Sequence, residues 1–329
     1  MVAYPKISIL IPVYNGADFL KEAIDSALAQ TYPNIEILVV NDGSDDNGCT
    51  EAIALGYGAR VRYFAKENGG VATALNLSIE KMSGDYCSWL SHDDLYTPDK
   101  LQVEMDAMLA RTQPRTIIYS DYAVFAKSPD IAARVSMKGV PPQQFRHWIS
   151  LENNLHGCTL LLPRQAFEEC GVFNKALRTT QDYDLWFRMA AKYDFVHVPE
   201  VLVKARSHEN QGSVTMAKHA LIECNNLFIG FTSELSSAEL TRQGNRSIAF
   251  SYAEIAVSFW LRGFYDAARF AAGKAMANTR QSASARDFVE VVGLLGKTVL
   301  KYYLFKCARK LLPPTLRIHI KRFMRLIGG

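Results

Sequence analysis

Four short apolar runs, Ile7–Ile11, Ile35–Val40, Val61–Phe64 and Tyr86–Leu90, recur through the first hundred residues, each closed by polar or turn-forming positions. Runs this short and this continuously apolar predict strands covered on both faces. Between the first two, Phe19, Leu20, Ala23, Ile24, Ala27 and Leu28 fall at the spacing of one helical face. A second helix is predicted over Val71–Lys81, and a third begins near Pro98, whose fixed φ suits a first helical turn. Strands alternating with helices imply an α/β architecture with a mainly parallel sheet, in which ligands bind beyond the carboxyl ends of the strands. The polar clusters Pro12–Asn15, Asn41–Asp46 and Ser91–Asp94 stand at those ends, so the pattern predicts one pocket built from all three.

The middle of the chain mixes predicted strands at Thr116–Tyr119, Thr159–Leu162 and Phe195–Val198 with polar loops and a helix near Tyr183–Lys192. After Val214 the pattern changes. Lys218–Ser233, Glu239–Leu261, Tyr265–Asn278 and Ala283–Phe305 read as helices, with small residues and few turn signals. The predicted division is an α/β domain over residues 1–214 and a helical C-terminal region over 215–329. Near the C-terminus, Leu316, Ile320, Phe323, Met324 and Ile327 share one side of a helix, and Arg317, Lys321 and Arg325 form a basic stripe on another. Such a basic amphipathic tail suits an anionic membrane surface. The same pattern also fits a helix packed on its own domain with a solvated basic face.

Apolar residues make up 49% of the chain and charged residues 21%, a globular balance that excludes a disordered chain. The six cysteines are scattered with no CxxC pair, which suits neither a zinc site nor a disulfide framework, so a reducing, cytoplasmic setting is expected. The opening segment reaches a strand-like run at once, which leaves no room for a signal peptide. No run of about 18 uninterrupted apolar residues occurs, so no spanning helix is expected. Nine basic and no acidic residues follow Glu290, and they account for the net charge of +4. The remainder is acidic overall, which argues against nucleic acid as a partner. The expected location is therefore cytoplasmic, peripheral on the inner face of the cytoplasmic membrane.

Three clusters carry candidate chemistry. Ser91-His92-Asp93-Asp94 places adjacent carboxylates at a strand end, where they suit a hard divalent cation gripping a diphosphate. An acidic N-cap is the plainer reading, although Leu95–Thr97 intervene before Pro98. In Asn41-Asp42-Gly43-Ser44-Asp45-Asp46 a carboxylate can accept hydrogen bonds from a base or ribose, or the segment is an ordinary polar turn. In Gln181-Asp182-Tyr183-Asp184, Asp182 stands near a helix N-terminus, where the dipole favours a carboxylate and a simple cap would also sit.

Taken in order, IPVYN, NDGSDD, NGGVATALN, SHDD, TTQDYDLWFRM and RSHENQGS resemble the motif series of the family 2 glycosyltransferases over residues 5–214. The resemblance implies the GT-A fold: a Rossmann-like, mainly parallel sheet flanked by helices, here followed by the helical C-terminal region. It implies that Pro12, Val13 and Tyr14, with Asn15, contact the donor nucleotide, that Asp42 binds its base, and that Asn68 and Asn76 lie at the nucleotide-side helix. The arginine usual before the last asparagine is Leu75 here. The family's DxD motif falls on Ser91-His92-Asp93, which makes Asp93 the main metal and donor ligand, with Asp94 beside it. The family's Glu-Asp pair falls on Gln181-Asp182, with Asp182 as catalytic base. Gly171–Asn174 resembles the segment that precedes this pair on the acceptor side. Arg206 and His208 match the loop that closes over the diphosphate, with His208 a further metal ligand.

The function so implied is transfer of a sugar from a nucleoside-diphosphate sugar to a hydroxyl acceptor with inversion, assisted by a divalent cation (Mn or Mg). One base and one metal suffice for a single displacement, whereas a glycosidase wants two facing carboxylates. The acceptor class is a glycan or lipid-linked glycan, in polysaccharide or glycolipid biosynthesis at the bacterial envelope. An alternative is an inactive sugar-nucleotide-binding subunit of a polysaccharide assembly complex, favoured only by the altered Ser91-His92-Asp93 motif. A nicotinamide oxidoreductase is disfavoured because no GxGxxG opens a helix after an early strand. A nucleotidyltransferase is disfavoured because PVYNGADFL offers little to hold a triphosphate.

Overall fold

A computed structural model describes residues 4–152, 154–209, 211–241, 247–282 and 285–311. The chain forms two compact units, Met1–Glu239 and Leu240–Gly329. In the first, strands β1 (Ile7–Val13), β2 (Ile35–Asn41), β3 (Arg62–Ala65) and β4 (Tyr86–Trp89) pair in parallel in the order β3-β2-β1-β4. All seven residues of β1 are buried, as a central strand covered on both faces requires. Its register against β2 runs from Ile7 opposite Ile35 to Val13 opposite Asn41, so both strands deliver their polar loops at the same edge.

The sheet continues as β5 (Leu95–Tyr96), β6 (Thr116–Phe125), β7 (Ala133–Val135), β8 (Leu160–Pro163) and β9 (Asp194–Arg206), in the overall order β3-β2-β1-β4-β8-β6-β9-β5 with β7 on β6. This half is mixed: β8 is antiparallel to both β4 and β6, and β6 is parallel to β9. A mainly parallel sheet therefore describes the first half, and the sheet as a whole is mixed. A bulge in the β6–β9 ladder at Ser120–Tyr122 accommodates Pro199, which has no N–H to donate, and lets β9 run 13 residues where four were expected.

Helices α1 (Leu20–Leu28), α2 (Cys49–Leu55), α3 (Val71–Lys81), α4 (Lys100–Leu109), α5 (Phe145–Leu151), α6 (Arg164–Cys170), α7 (Gln181–Met189), α8 (Gly212–Thr215) and α9 (Ala217–Glu234) belong to the first unit, together with short 3-10 turns at Gly58–Arg60, Pro142–Gln144 and Gly157–Thr159. Helix α4 is anchored through a fully buried ion pair, Lys100–Glu104 at 2.6 Å, with Lys100 also donating to Ser88 on β4 at 2.9 Å. Burial pushes the Glu104 carboxyl up to about 7. The compact unit extends past Val214 because α9 packs into it: Phe231 stacks on Phe187 of α7 with ring centroids 3.7 Å apart.

The second unit is helical over its described residues. Helices Ile248–Arg262, Tyr265–Ser282 and Ala285–Leu311 pack pairwise, and buried Ala253, Ala256, Ala267, Ala268, Ala271 and Ala275 let the first two approach closely. The expected helix Glu239–Leu261 is instead the turn Ser237–Leu240 and the helix from Ile248, with 242–246 outside the described residues. Arg317, Lys321 and Arg325 of the amphipathic tail also lie outside them. No helix among the described residues is long and apolar enough to cross a membrane.

Candidate functional site

A cleft of about 670 Å³ opens in the first unit, lined by the ends of β1, β2 and β4, the start of α3, the segment before α7 and the stretch around α8. The three strand-end clusters do meet. Pro12, Val13, Tyr14, Asp42, Asn68, Ser91, His92, Asp93 and Asp94 all line it.

Asp42 is buried and organises one wall of the cleft. Its backbone N–H donates to Val13 O at 2.8 Å, which joins the β1 and β2 loops. Its carboxylate accepts from Lys66 Nζ at 2.6 Å and from the Gly69 and Gly70 amides at 3.1 and 2.7 Å. Gly43 has φ +72°, and a Cβ there would lie 2.5 Å from the Asn68 nitrogen, so only glycine permits this approach. Asn15 ties the same loops together: its amide donates to Asp45 at 2.6 Å, and its oxygen accepts from the Asp45 N–H. Asn76 sits outside the lining, with its amide spent on both backbone groups of Phe173 at 2.9 and 3.0 Å.

At the end of β4, the Asp93 carboxylate and His208 Nε2 lie 2.9 Å apart, with Phe19 packed on the imidazole. The two groups are hydrogen-bonded to each other, and a carboxylate beside an imidazole is a donor pair suited to a divalent cation. Asp94 faces the other way. One oxygen accepts the Arg206 N–H at 2.9 Å, and the other lies near Cys158 Sγ at 3.4 Å and His156 Nε2 at 3.5 Å. Burial, with Asp93 adjacent, pushes its carboxyl up to about 6. Among the described residues, Asp94, His156 and Cys158 form a three-residue group of potential ligand atoms, all within 4.8 Å of one another. That group is satisfied internally: Sγ accepts from the Ser91 N–H at 3.2 Å, and burial holds the thiol well above its usual range. Arg206, expected at the diphosphate, stands behind the cleft. Its guanidinium bonds Glu22 at 2.8 Å and Asp93 O at 3.0 Å and lies over the Phe19 and Phe125 rings.

Asp182 occupies the first turn of α7, next to Gln181, which lines the cleft. Burial raises its carboxyl to about 6, against the pull of the Tyr183 N–H and His156. Such a value suits a group that exchanges protons near neutrality. The segment feeding α7 is held by Glu223 of α9, whose carboxylate accepts from the Arg178 N–H, the Thr179 N–H and hydroxyl, and the Thr180 hydroxyl at 2.7–3.2 Å. On the far side of α7, Arg188 donates to Cys170 O and to Val172 O, fixing the turn before Phe173.

Comparison with known proteins gives this cleft its context. The family model described as Glycosyl transferase family 2 matches residues 8–171. An uncharacterized glycosyltransferase of Rickettsia typhi is 42% identical over 79% of this chain and 81% of its own length. This chain belongs to the family 2 glycosyltransferases. An uncharacterized glycosyltransferase of Rickettsia felis is 46% identical over 75% of this chain, which spans 41% of that protein's length. The chain thus covers about two fifths of the longer curated relatives that it matches. Among solved structures, S. aureus TarS 1-349 in complex with UDP-GlcNAc superposes with a TM-score of 0.56 at 15% identity, covering 89% of this chain and 80% of that one. The fold is GT-A.

Against the family's motifs, Leu75 is fully buried, so that position offers the nucleotide no charge. Residues that the sequence reading missed also line the cleft: Trp89, His156, Arg178, Thr179, Gln211 and Thr215. His156 carried a detectable signal as a histidine in a polar stretch, NNLHGC, but nothing local tied it to Asp94. Gly157 makes room for Trp89, since a Cβ there would lie 2.3 Å from the indole ring.

Proposed function

We propose that this chain transfers a sugar from a nucleoside-diphosphate donor to a hydroxyl of a glycan or lipid-linked glycan, inverting the anomeric centre. The observation that carries this reading is the convergence of three strand-end loops and the start of α7 on one cleft. Pro12, Val13, Tyr14, Asp42 and Asn68 form the nucleotide side. The acceptor oxygen attacks the anomeric carbon as the bond from that carbon to the diphosphate oxygen breaks, its electron pair leaving with the diphosphate. Asp182 takes the acceptor's proton, for which a carboxyl near 6 is well matched at neutral pH. Asp93 and His208 fit a divalent cation, manganese or magnesium, which when bound neutralises charge on the leaving diphosphate. Asp94 supports this loop from behind, through Arg206 and Cys158.

Supply of UDP-, GDP- and dTDP-sugars with manganese, each with and without a glycan acceptor, tests the reading. Release of nucleoside diphosphate is expected from one donor, and Asp93→Ala should remove its manganese dependence. UDP-GlcNAc is the first donor to try, since the TarS neighbour was crystallised with it. Tight donor binding without any release would favour the inactive-subunit reading instead.

A further inference from the structure

Among the described residues that line the cleft, Asp42, Asp93 and Asp94 are the carboxylate residues and Arg178 is the single lysine or arginine. Its guanidinium lies against Gly70, where a Cβ would come within 2.8 Å of Nη1. It has no hydrogen-bond or ion-pair partner among the described residues. The other cations nearby are committed. Lys66 is bound to Asp42 at 2.6 Å, and Arg206 to Glu22 at 2.8 Å between two phenylalanine rings.

The Arg178 backbone, by contrast, is fixed. Glu223 accepts its N–H at 2.7 Å and the Thr179 N–H at 2.8 Å, and those bonds with His219 hold the Glu223 carboxyl down to about 2. Arg178 is exposed, so on this anchored backbone its guanidinium can turn a fork of N–H donors to the paired oxygens of phosphate. A cleft whose lining includes three aspartates needs a compensating cation to admit a dianionic ligand.

We propose that Arg178 binds the donor's diphosphate directly, as the protein-borne cation of the donor site. This inference rests on the donor reading given above. Gly70 leaves room for the guanidinium at the cleft wall, and Glu223 fixes the backbone that carries it.

The test is calorimetric titration of UDP, GDP and dTDP with manganese into wild type, Arg178→Ala and Arg178→Lys, each also titrated with the matching nucleoside. Arg178→Ala should weaken the preferred diphosphate by about 10- to 100-fold, the range for hydrogen bonds to a charged group, and leave the nucleoside within about twofold. Arg178→Lys should recover part of the loss. Unchanged diphosphate affinity in Arg178→Ala overturns the proposal and leaves the donor reading standing. Equal loss of diphosphate and nucleoside also overturns it, because Arg178 would then shape the pocket rather than contact phosphate. If wild type binds none of the three diphosphates, the donor reading falls and the proposal with it.

Discussion

The two halves of the sheet build the cleft in different ways. On the parallel half, the site is held by contacts within one short span of chain: Asp42 gathers Lys66, Gly69 and Gly70, and Asn15 clasps Asp45. On the mixed half, the decisive contacts come from far along the chain. Glu223 holds Arg178–Thr180, Asn76 holds Phe173, and Arg206 reaches back to Glu22. The first half is a set of motifs that carry their own support. The second is a set of motifs that work only after the rest of the unit has folded around them.

This contrast has measurable consequences, and the largest is at Glu223. Replacing it with alanine leaves two backbone N–H groups and two hydroxyls without their shared acceptor, so Glu223→Ala should cost about 3 kcal/mol in urea unfolding. It should also raise amide exchange selectively at residues 178–182. The group's folded value is near 2 and its ordinary value 4.5, so its stabilisation is complete above about 4.5 and disappears as pH falls toward 2. The stability gap between wild type and Glu223→Ala should shrink over that window. A gap independent of pH would show that the carboxylate is not what fastens the loop.

A smaller effect is expected on the parallel half. Gly43→Ala forces a side chain into a left-handed backbone and against the Asn68 nitrogen, for about 2 kcal/mol. Its damage should stay local, weakening nucleotide binding without loosening residues 178–182. If Gly43→Ala loosens that segment as much as Glu223→Ala does, the two halves are not independently supported.

The same contrast explains what was legible in the sequence. The strands of the parallel half were readable because each is a continuous apolar run ending in a polar cluster, as in Ile7–Val13 followed by Tyr14-Asn15. Asp42 and Asp93 were placed on the cleft because strand ends in a parallel sheet share one edge, and Asn68 because its segment resembles the family's nucleotide-side helix start. The mixed half was harder. The Pro199-Glu200 pair hid the continuation of β9 beyond Val198, and the antiparallel return of β8 depends on pairing that no local pattern encodes. Arg178 had no signal at all in Leu177-Arg178-Thr179-Thr180; only the fold sets it against Gly70, far away in sequence. Arg206 and Asn76 carried family motifs, yet their side chains are occupied by Glu22 and Phe173.

The central claim is that the cleft performs transfer with Asp182 as its base, and one variant tests it most directly. Asp182→Asn keeps the shape of the residue and an acceptor for the Tyr183 N–H but removes its capacity to take a proton. The account predicts that donor affinity stays within about twofold while the transfer rate falls by about 10²–10⁴-fold. Wild-type rate should climb as pH rises through about 6, where Asp182 ionises, and the variant should lack that limb. A folded Asp182→Asn that turns over near the wild-type rate, with the same pH profile, would contradict the assignment.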